Sequence, residues 1–156
     1  YFKGTSKNPS TCFCLLVRLF TLRCTEKQMT SMLSHPDSPY IRCIGFLYLR
    51  YACEPHTLWR WIEPFINDNE KVFISASHKK EESIGQYVHD LLTEMDYHGT
   101  LLPRLPLNVE REIKVKLLLA EKIEDRAKQH LKNKGSNSAM EYFQIGARIR
   151  GLYGDD

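Results

Sequence analysis

The stretch Ser38-Pro-Tyr-Ile-Arg-Cys-Ile-Gly-Phe-Leu-Tyr-Leu-Arg-Tyr51 decides the fold of this 156-residue chain. Ser38 can cap a helix, and Pro39 suits its first position, where a missing N–H leaves nothing unsatisfied. The helix is expected to run to about Ala52. Ile41, Ile44, Phe46, Leu47, Tyr48, Leu49 and Tyr51 cover nearly its whole circumference. A helix apolar on almost every side belongs at the centre of a domain. Its only charges are Arg42 and Arg50. At roughly 100° per residue they lie about 80° apart, so they share one side and form a single polar seam. These two arginines are the residues of the block expected to face a polar partner or a buried carboxylate.

On the N-terminal side, Tyr1–Pro9 reads as a loop, and Ser10 or Thr11 caps an apolar helix running to about Leu22. Thr25-Glu-Lys-Gln28 has the capping-box pattern and opens a short helix through Met29, Met32 and Leu33. On the C-terminal side, Glu54-Pro55 starts another helix carrying Leu58, Trp59, Trp61 and Ile62, which stops before Pro64. Residues 67–83 fit a short hairpin or a loop around the β-prone Val72-Phe-Ile74. Ser83-Ile-Gly-Gln86 is a second capping box, followed by a helix with Ile84, Tyr87, Val88, Leu91, Leu92 and Met95. Leu101 to Pro106 is a proline-punctuated connector. Asn108 is placed to cap the longest helix, which is expected to reach Lys132, with Gly135 just beyond its end. Its apolar stripe of Ile113, Leu117, Ala120, Ala127 and Leu131 is narrow. It is flanked by the favourable pairs Glu110–Lys114, Glu112–Lys116 and Glu124–Lys128. A polar linker at 133–139 and a weakly alternating tail from Tyr142, able to begin a strand, complete the chain.

Charge is unevenly distributed. Net charge is +3 for the whole chain, but +5 over residues 1–62, −5 over 63–96 and +4 over 97–135. Such segregation suits docking against several charged surfaces and falls short of the strongly basic balance of a nucleic-acid binder. No apolar run reaches the roughly 18 residues of a membrane span, and no signal-peptide pattern is present. The five cysteines, at 12, 14, 24, 43 and 53, read as buried free thiols of a reducing compartment. Cys12 and Cys14 would point about 200° apart on a helix and cannot grip one metal. No phosphate loop, nucleophile elbow or paired-histidine metal motif occurs. The residues thus predict no enzyme, no metal and no cofactor.

Two clusters remain as candidate partner contacts. Trp59 and Trp61, with Tyr48, Tyr51 and Phe65, form an aromatic block that suits core packing or a docking surface, since Trp, Tyr and Arg concentrate at interface hot spots. Arg104, Arg111, Lys114 and Lys116 offer a basic segment that suits a solvated helix face or RNA phosphates. The long charged helix also suits pairing with a partner helix.

Three blocks resemble the pre-mRNA-splicing factor 38 family: Ser10-Thr-Cys-Phe-Cys-Leu-Leu-Val-Arg-Leu-Phe-Thr-Leu22, His35 to Tyr51, and Leu58-Trp-Arg-Trp-Ile-Glu-Pro-Phe65. Ile84-Gly through Leu102-Pro-Arg-Leu-Pro106 follows in the family's order, and the likeness spans roughly residues 10–110. The Ser-Thr-x-Phe-Cys start points to its B-type branch. The family's N-terminal helices and glycine-rich loop would precede Ser10, where this chain has Tyr1–Pro9. The tail Phe143–Asp156 faintly resembles the opening strand of a Tudor-like barrel.

The resemblance implies a mainly α, compact multi-helix domain with at most a small β-hairpin near 70–83. The domain would fill residues 1–132, with 133–156 a linker and tail that could open a second domain. It implies a non-catalytic, nuclear scaffold of the spliceosome, associated with the tri-snRNP or precatalytic complex and its activation. Its partners would be a helix like that of microfibrillar-associated protein 1, a zinc-finger splicing protein and tri-snRNP components. Neither a small-molecule substrate nor a membrane is expected. The alternative is an RNA-binding splicing protein that contacts snRNA or pre-mRNA through residues 104–116.

Overall fold

The computed structural model describes residues 10–74, 81–97 and 99–153, with side chains described as far as residue 134. The loop expected at 1–9 and residues 75–80 of the expected hairpin or loop lie outside the described residues. The fold is mainly α. Its helices are α1 (Thr11–Leu22), α2 (Glu26–Leu33), α3 (Pro39–Ala52), α4 (Pro55–Ile62), α5 (Ile84–Thr93) and α6 (Leu107–Tyr153). A single 3-10 turn, Glu63–Phe65, extends α4 and takes Pro64 into its first turn. Two antiparallel hairpins complete the described structure. In one, β1 (Lys71–Phe73) pairs with β2 (Glu81–Ser83), and in the other β3 (Asp96–Tyr97) pairs with β4 (Thr100–Leu101). The first is the hairpin expected near 70–83. The second falls where the sequence shows no alternation, because two paired residues per strand are too few to display a period.

The start signals act mostly as read. Ser10 accepts from the Phe13 N–H at the start of α1. Thr25 and Gln28 form the reciprocal capping box of α2. Two differ. Ser38 occupies the cap position of α3 without a side-chain bond to the helix. Ser83 caps α5, but the Gln86 amide turns forward to Asp90 (2.7 Å) instead of closing the box.

The chain divides into two compact units, residues 1–114 and 115–156. In the first, α3 is central, packing against α1, α2, α4, α5 and β1. Phe46, Leu58, Ile62, Ile84, Val88 and Leu91 are fully buried. At roughly 1.5–3 kcal/mol for each large apolar side chain removed from water, this core dominates the stability of the unit. Gly45 lets α2 lie close, since a Cβ there would press on Leu33 Cδ2 at 3.0 Å. Gly85 is needed more strictly, because a Cβ would collide with the Ile66 carbonyl oxygen. Of the cysteines only Cys43 is buried. Cys12, Cys24 and Cys53 are partly exposed and Cys14 exposed, which corrects the reading of buried thiols. α1, apolar on most sides, buries only Leu16.

The second unit is the continuation of α6. The helix begins at Leu107, where the Pro106 carbonyl accepts from Glu110, so Asn108 lies inside the first turn and is not the cap. It also runs through Gly135 to Tyr153, where a linker and a strand are expected from the sequence. The reason is local: one helical glycine costs only about 1 kcal/mol against alanine, and Ala139, Met140, Glu141, Gln144 and Ala147 restore helix propensity beyond it.

Candidate functional site

α3 carries the charged seam, and the structure divides it in two. Arg42 is 6% exposed. Its Nε donates to the Leu33 carbonyl at the end of α2 (2.7 Å), and its two terminal nitrogens pair separately with Asp68 and Glu70. The guanidinium also lies over the Phe65 ring, 5.4 Å from its centroid, and Phe65 meets Phe46 edge-on at 5.1 Å. Burial by itself would lower the Arg42 pKa, but the hydrogen bonds and charges of Asp68 and Glu70 overcome it and raise it. Asp68 shows the complement. Burial would raise it, yet the Arg42 bond, the Glu70 N–H (2.9 Å) and the Arg42 charge hold it below the usual carboxylate range.

This cluster fixes a turn of backbone. The Asp68 carbonyl accepts from the Gly85 N–H and the Glu70 carbonyl from the Ile84 N–H, each at 2.9 Å. Arg42 therefore joins the end of α2, the turn after the 3-10 segment and the start of α5. A fork of five donors on a rigid plane is suited to holding two carboxylates and a carbonyl at once.

Arg50 is 4% exposed. Its Nε donates to the Leu91 carbonyl near the end of α5 (2.8 Å), and its buried Nη1 has no hydrogen-bond partner. No carboxylate among the described residues pairs with it. Burial lowers its pKa and outweighs the opposing influence of the neighbouring Tyr51. Cation compensation here comes from the carbonyl end of a helix, which carries partial negative charge.

The other candidates separate by burial. Trp59 is buried in α4 and serves the core, while Trp61 is partly exposed. Phe20 meets Tyr48 (5.2 Å) and Tyr51 (6.2 Å), so part of the aromatic block closes α1 onto α3. Tyr87 donates from Oη to the Cys43 carbonyl (3.0 Å). Burial pushes the Cys43 thiol up to about 12, which favours the protonated form at neutral pH. Arg104 is exposed in the connector, Arg111 and Lys114 are exposed on the first turns of α6, and Lys114 is held by Glu110 at 2.6 Å. Lys116 belongs to the second unit. There Leu117 is buried, whereas Val115, Leu118, Leu119, Ile123 and Leu131 are exposed. At ~100° per residue, Val115, Leu118, Leu119 and Ile123 fall on the side of the helix away from Leu117, making a second apolar face that the narrow stripe did not foretell. Among the described residues no three His, Cys, Asp or Glu side chains are grouped to hold a metal, and no helix is long and apolar enough to cross a membrane.

Asp68 and Glu70 are the residues the sequence reading missed. A signal for them existed, since both lie in the −5 segment that follows the +5 segment containing Arg42. Part of the charge segregation assigned to outside surfaces is used inside the domain.

Residues 1–115 match the PRP38 family. The chain belongs to the PRP38 family. It is 49% identical over 110 residues to pre-mRNA splicing factor SR-like 1 of Arabidopsis thaliana, covering 70% of this chain and 28% of that protein. It is 43% identical over 110 residues to human pre-mRNA-splicing factor 38B, covering 70% of this chain and 20% of that protein. This PRP38-family chain thus spans about a fifth to about a quarter of these relatives' length. Its fold is similar to a chain in the crystal structure of the Snu23–Prp38–MFAP1(217–258) complex of Chaetomium thermophilum. The TM-score is 0.62 at 18% identity, covering 80% of this chain and 72% of that one. The node residues Arg42, Asp68 and Glu70 all fall inside the family match.

Proposed function

We propose that this chain is a non-catalytic scaffold of pre-mRNA splicing that acts in the nucleus through protein–protein contacts. One observation carries the reading: the chain is a PRP38-family domain whose relatives, at 43–49% identity, are named as splicing factors. The geometry agrees with it. The most elaborate polar cluster, around Arg42, faces inward and holds the fold together. Outward, α6 presents Val115, Leu118, Leu119 and Ile123 to solvent beside Lys122 and Arg126, the make-up of a helix that receives an amphipathic, acidic partner helix. The solved complex holds a chain of this fold together with Snu23 and a fragment of MFAP1, and partners of that kind are the ones we assign to this chain. Association with the tri-snRNP or precatalytic complex, and a part in its activation, belong to the same proposal.

Affinity capture from nuclear extract tests it. The parent chain should recover tri-snRNP or precatalytic-complex proteins, and the Leu118→Glu/Ile123→Glu variant should lose them. Recovery of unrelated proteins alone defeats the proposal. Crosslinks to RNA at Arg104, Arg111, Lys114 and Lys116, weakening steeply with salt, would favour the RNA-binding alternative instead.

A further inference from the structure

We propose that the Arg50 guanidinium is a receptor for a carboxylate supplied by a partner protein, an Asp or Glu side chain on an otherwise apolar segment docked beside the β3–β4 hairpin. The inference rests on the reading of this chain as a protein-binding domain and adds the chemistry of one contact.

A guanidinium in a protein interior is costly unless it is paired and its donors are used. This chain meets that requirement at Arg42 with two carboxylates, a carbonyl and an aromatic ring. At Arg50 it supplies one carbonyl, from Leu91, and leaves Nη1 buried without a partner. The neighbourhood explains where the missing charge comes from. α5 ends at Thr93, two residues past Leu91, and the chain turns into the β3–β4 hairpin. Met95 and Leu101, joined through the Leu102 N–H to the Met95 carbonyl (2.9 Å), are 45% and 75% exposed. Tyr51, next to Arg50, donates from Oη to the Leu101 carbonyl (3.4 Å) and ties the hairpin to α3. Arg50 is thus anchored to α5 and Tyr51, the next residue, to the hairpin that carries the exposed Met95 and Leu101. A buried cation with an apolar surround is the composition of an interface hot spot in which apolar contacts exclude water from a central charge.

The same neighbourhood selects the ligand. Glu94, just after α5, and Asp96, the first residue of β3, are both exposed. Their repulsion grows with the charge of the ligand, so it opposes a chain of phosphates more than a single carboxylate carried among apolar side chains. Nη1 is sealed from solvent in the free chain, so the incoming carboxylate displaces its cover. The gain is the conversion of an unpaired buried cation into a paired one.

The test uses the whole chain with 15N-labelled arginine and follows the side-chain nitrogen resonances. The probes are acetyl-Leu-Glu-Leu-amide and its neutral counterpart acetyl-Leu-Gln-Leu-amide. The Glu probe should shift the Arg50 Nη signals, leave those of Arg42 in place, and bind about tenfold more tightly than the Gln probe. The Arg50→Met variant should abolish the difference between the probes. Equal binding of both probes, no shift at Arg50, or shifts confined to Arg104 and Arg111 would each overturn the proposal. So would a larger Arg50 shift with inorganic phosphate than with the Glu probe. None of these results depends on recovery of spliceosomal proteins from extract, so the two proposals fail separately.

Discussion

Arg42 and Arg50 leave the same helix eight residues apart, and both are more than nine-tenths buried. Around Arg42 the chain gathers Asp68, Glu70, the Leu33 carbonyl and the Phe65 ring, drawing three segments onto one guanidinium. Around Arg50 it offers the Leu91 carbonyl and the end of α5. The first is a closed network whose members hold one another in place. The second is a cation held by backbone alone. Two identical residues on one face can therefore serve different ends, because the partners that arrive by tertiary folding differ.

The largest test of this contrast is Arg42→Met. Removing one side of a buried ion pair typically costs 3–5 kcal/mol; Asp68 and Glu70 keep 24% and 36% of their side-chain exposure and can be resolvated, so about 3 kcal/mol is expected in urea unfolding. Next is Gly85→Ala, which forces the Ile66–Asp68 backbone away from α5 and should cost about 2–3 kcal/mol. Combined with Arg42→Met it should cost less than the sum, because both changes loosen the same turn. Arg50→Met should lie within about 1 kcal/mol of the parent, since a buried charge with no counter-ion is replaced by an apolar side chain of similar length. An equal loss at both arginines would break the contrast.

The smallest effect is a slope against pH. Asp68 is held below its usual range when folded, so the folded chain binds fewer protons than the unfolded chain in acid. Its contribution is complete above the unfolded carboxylate pKa of about 3.9 and fades as pH falls through the lower folded value. Acid titration of stability should therefore show an extra fall in the parent and in Arg50→Met, and a weaker one in Arg42→Met. The same fall in all three would detach Asp68 from Arg42.

The helices were largely legible because their signals are local. Thr25 with Gln28, and Pro39 and Pro55 at first positions, act within one turn of chain. The centrality of α3 followed from its apolar circumference. The β3–β4 hairpin escaped notice because two residues per strand leave no pattern. The end of α6 was misplaced because Gly135 is a weak stop without a tertiary reason to end there. Of the site, Arg42 and Arg50 stood out as the charges of an apolar helix, but Asp68 and Glu70 lay in a segment that read only as hairpin or loop. The second apolar face of α6 is interrupted by Lys122 and Arg126, so it has no unbroken apolar spacing to mark it.

By itself, the sequence determined that the chain is a mainly helical domain built around Ser38–Tyr51, and it carried the motifs of the PRP38 family. These are properties of local periodicity, capping chemistry and residue order. Only the tertiary structure decided which arginine is closed into an internal network and which keeps an open donor. Pairing a side chain with a carboxylate 26 or 28 residues away depends on how helices pack, which no local pattern encodes.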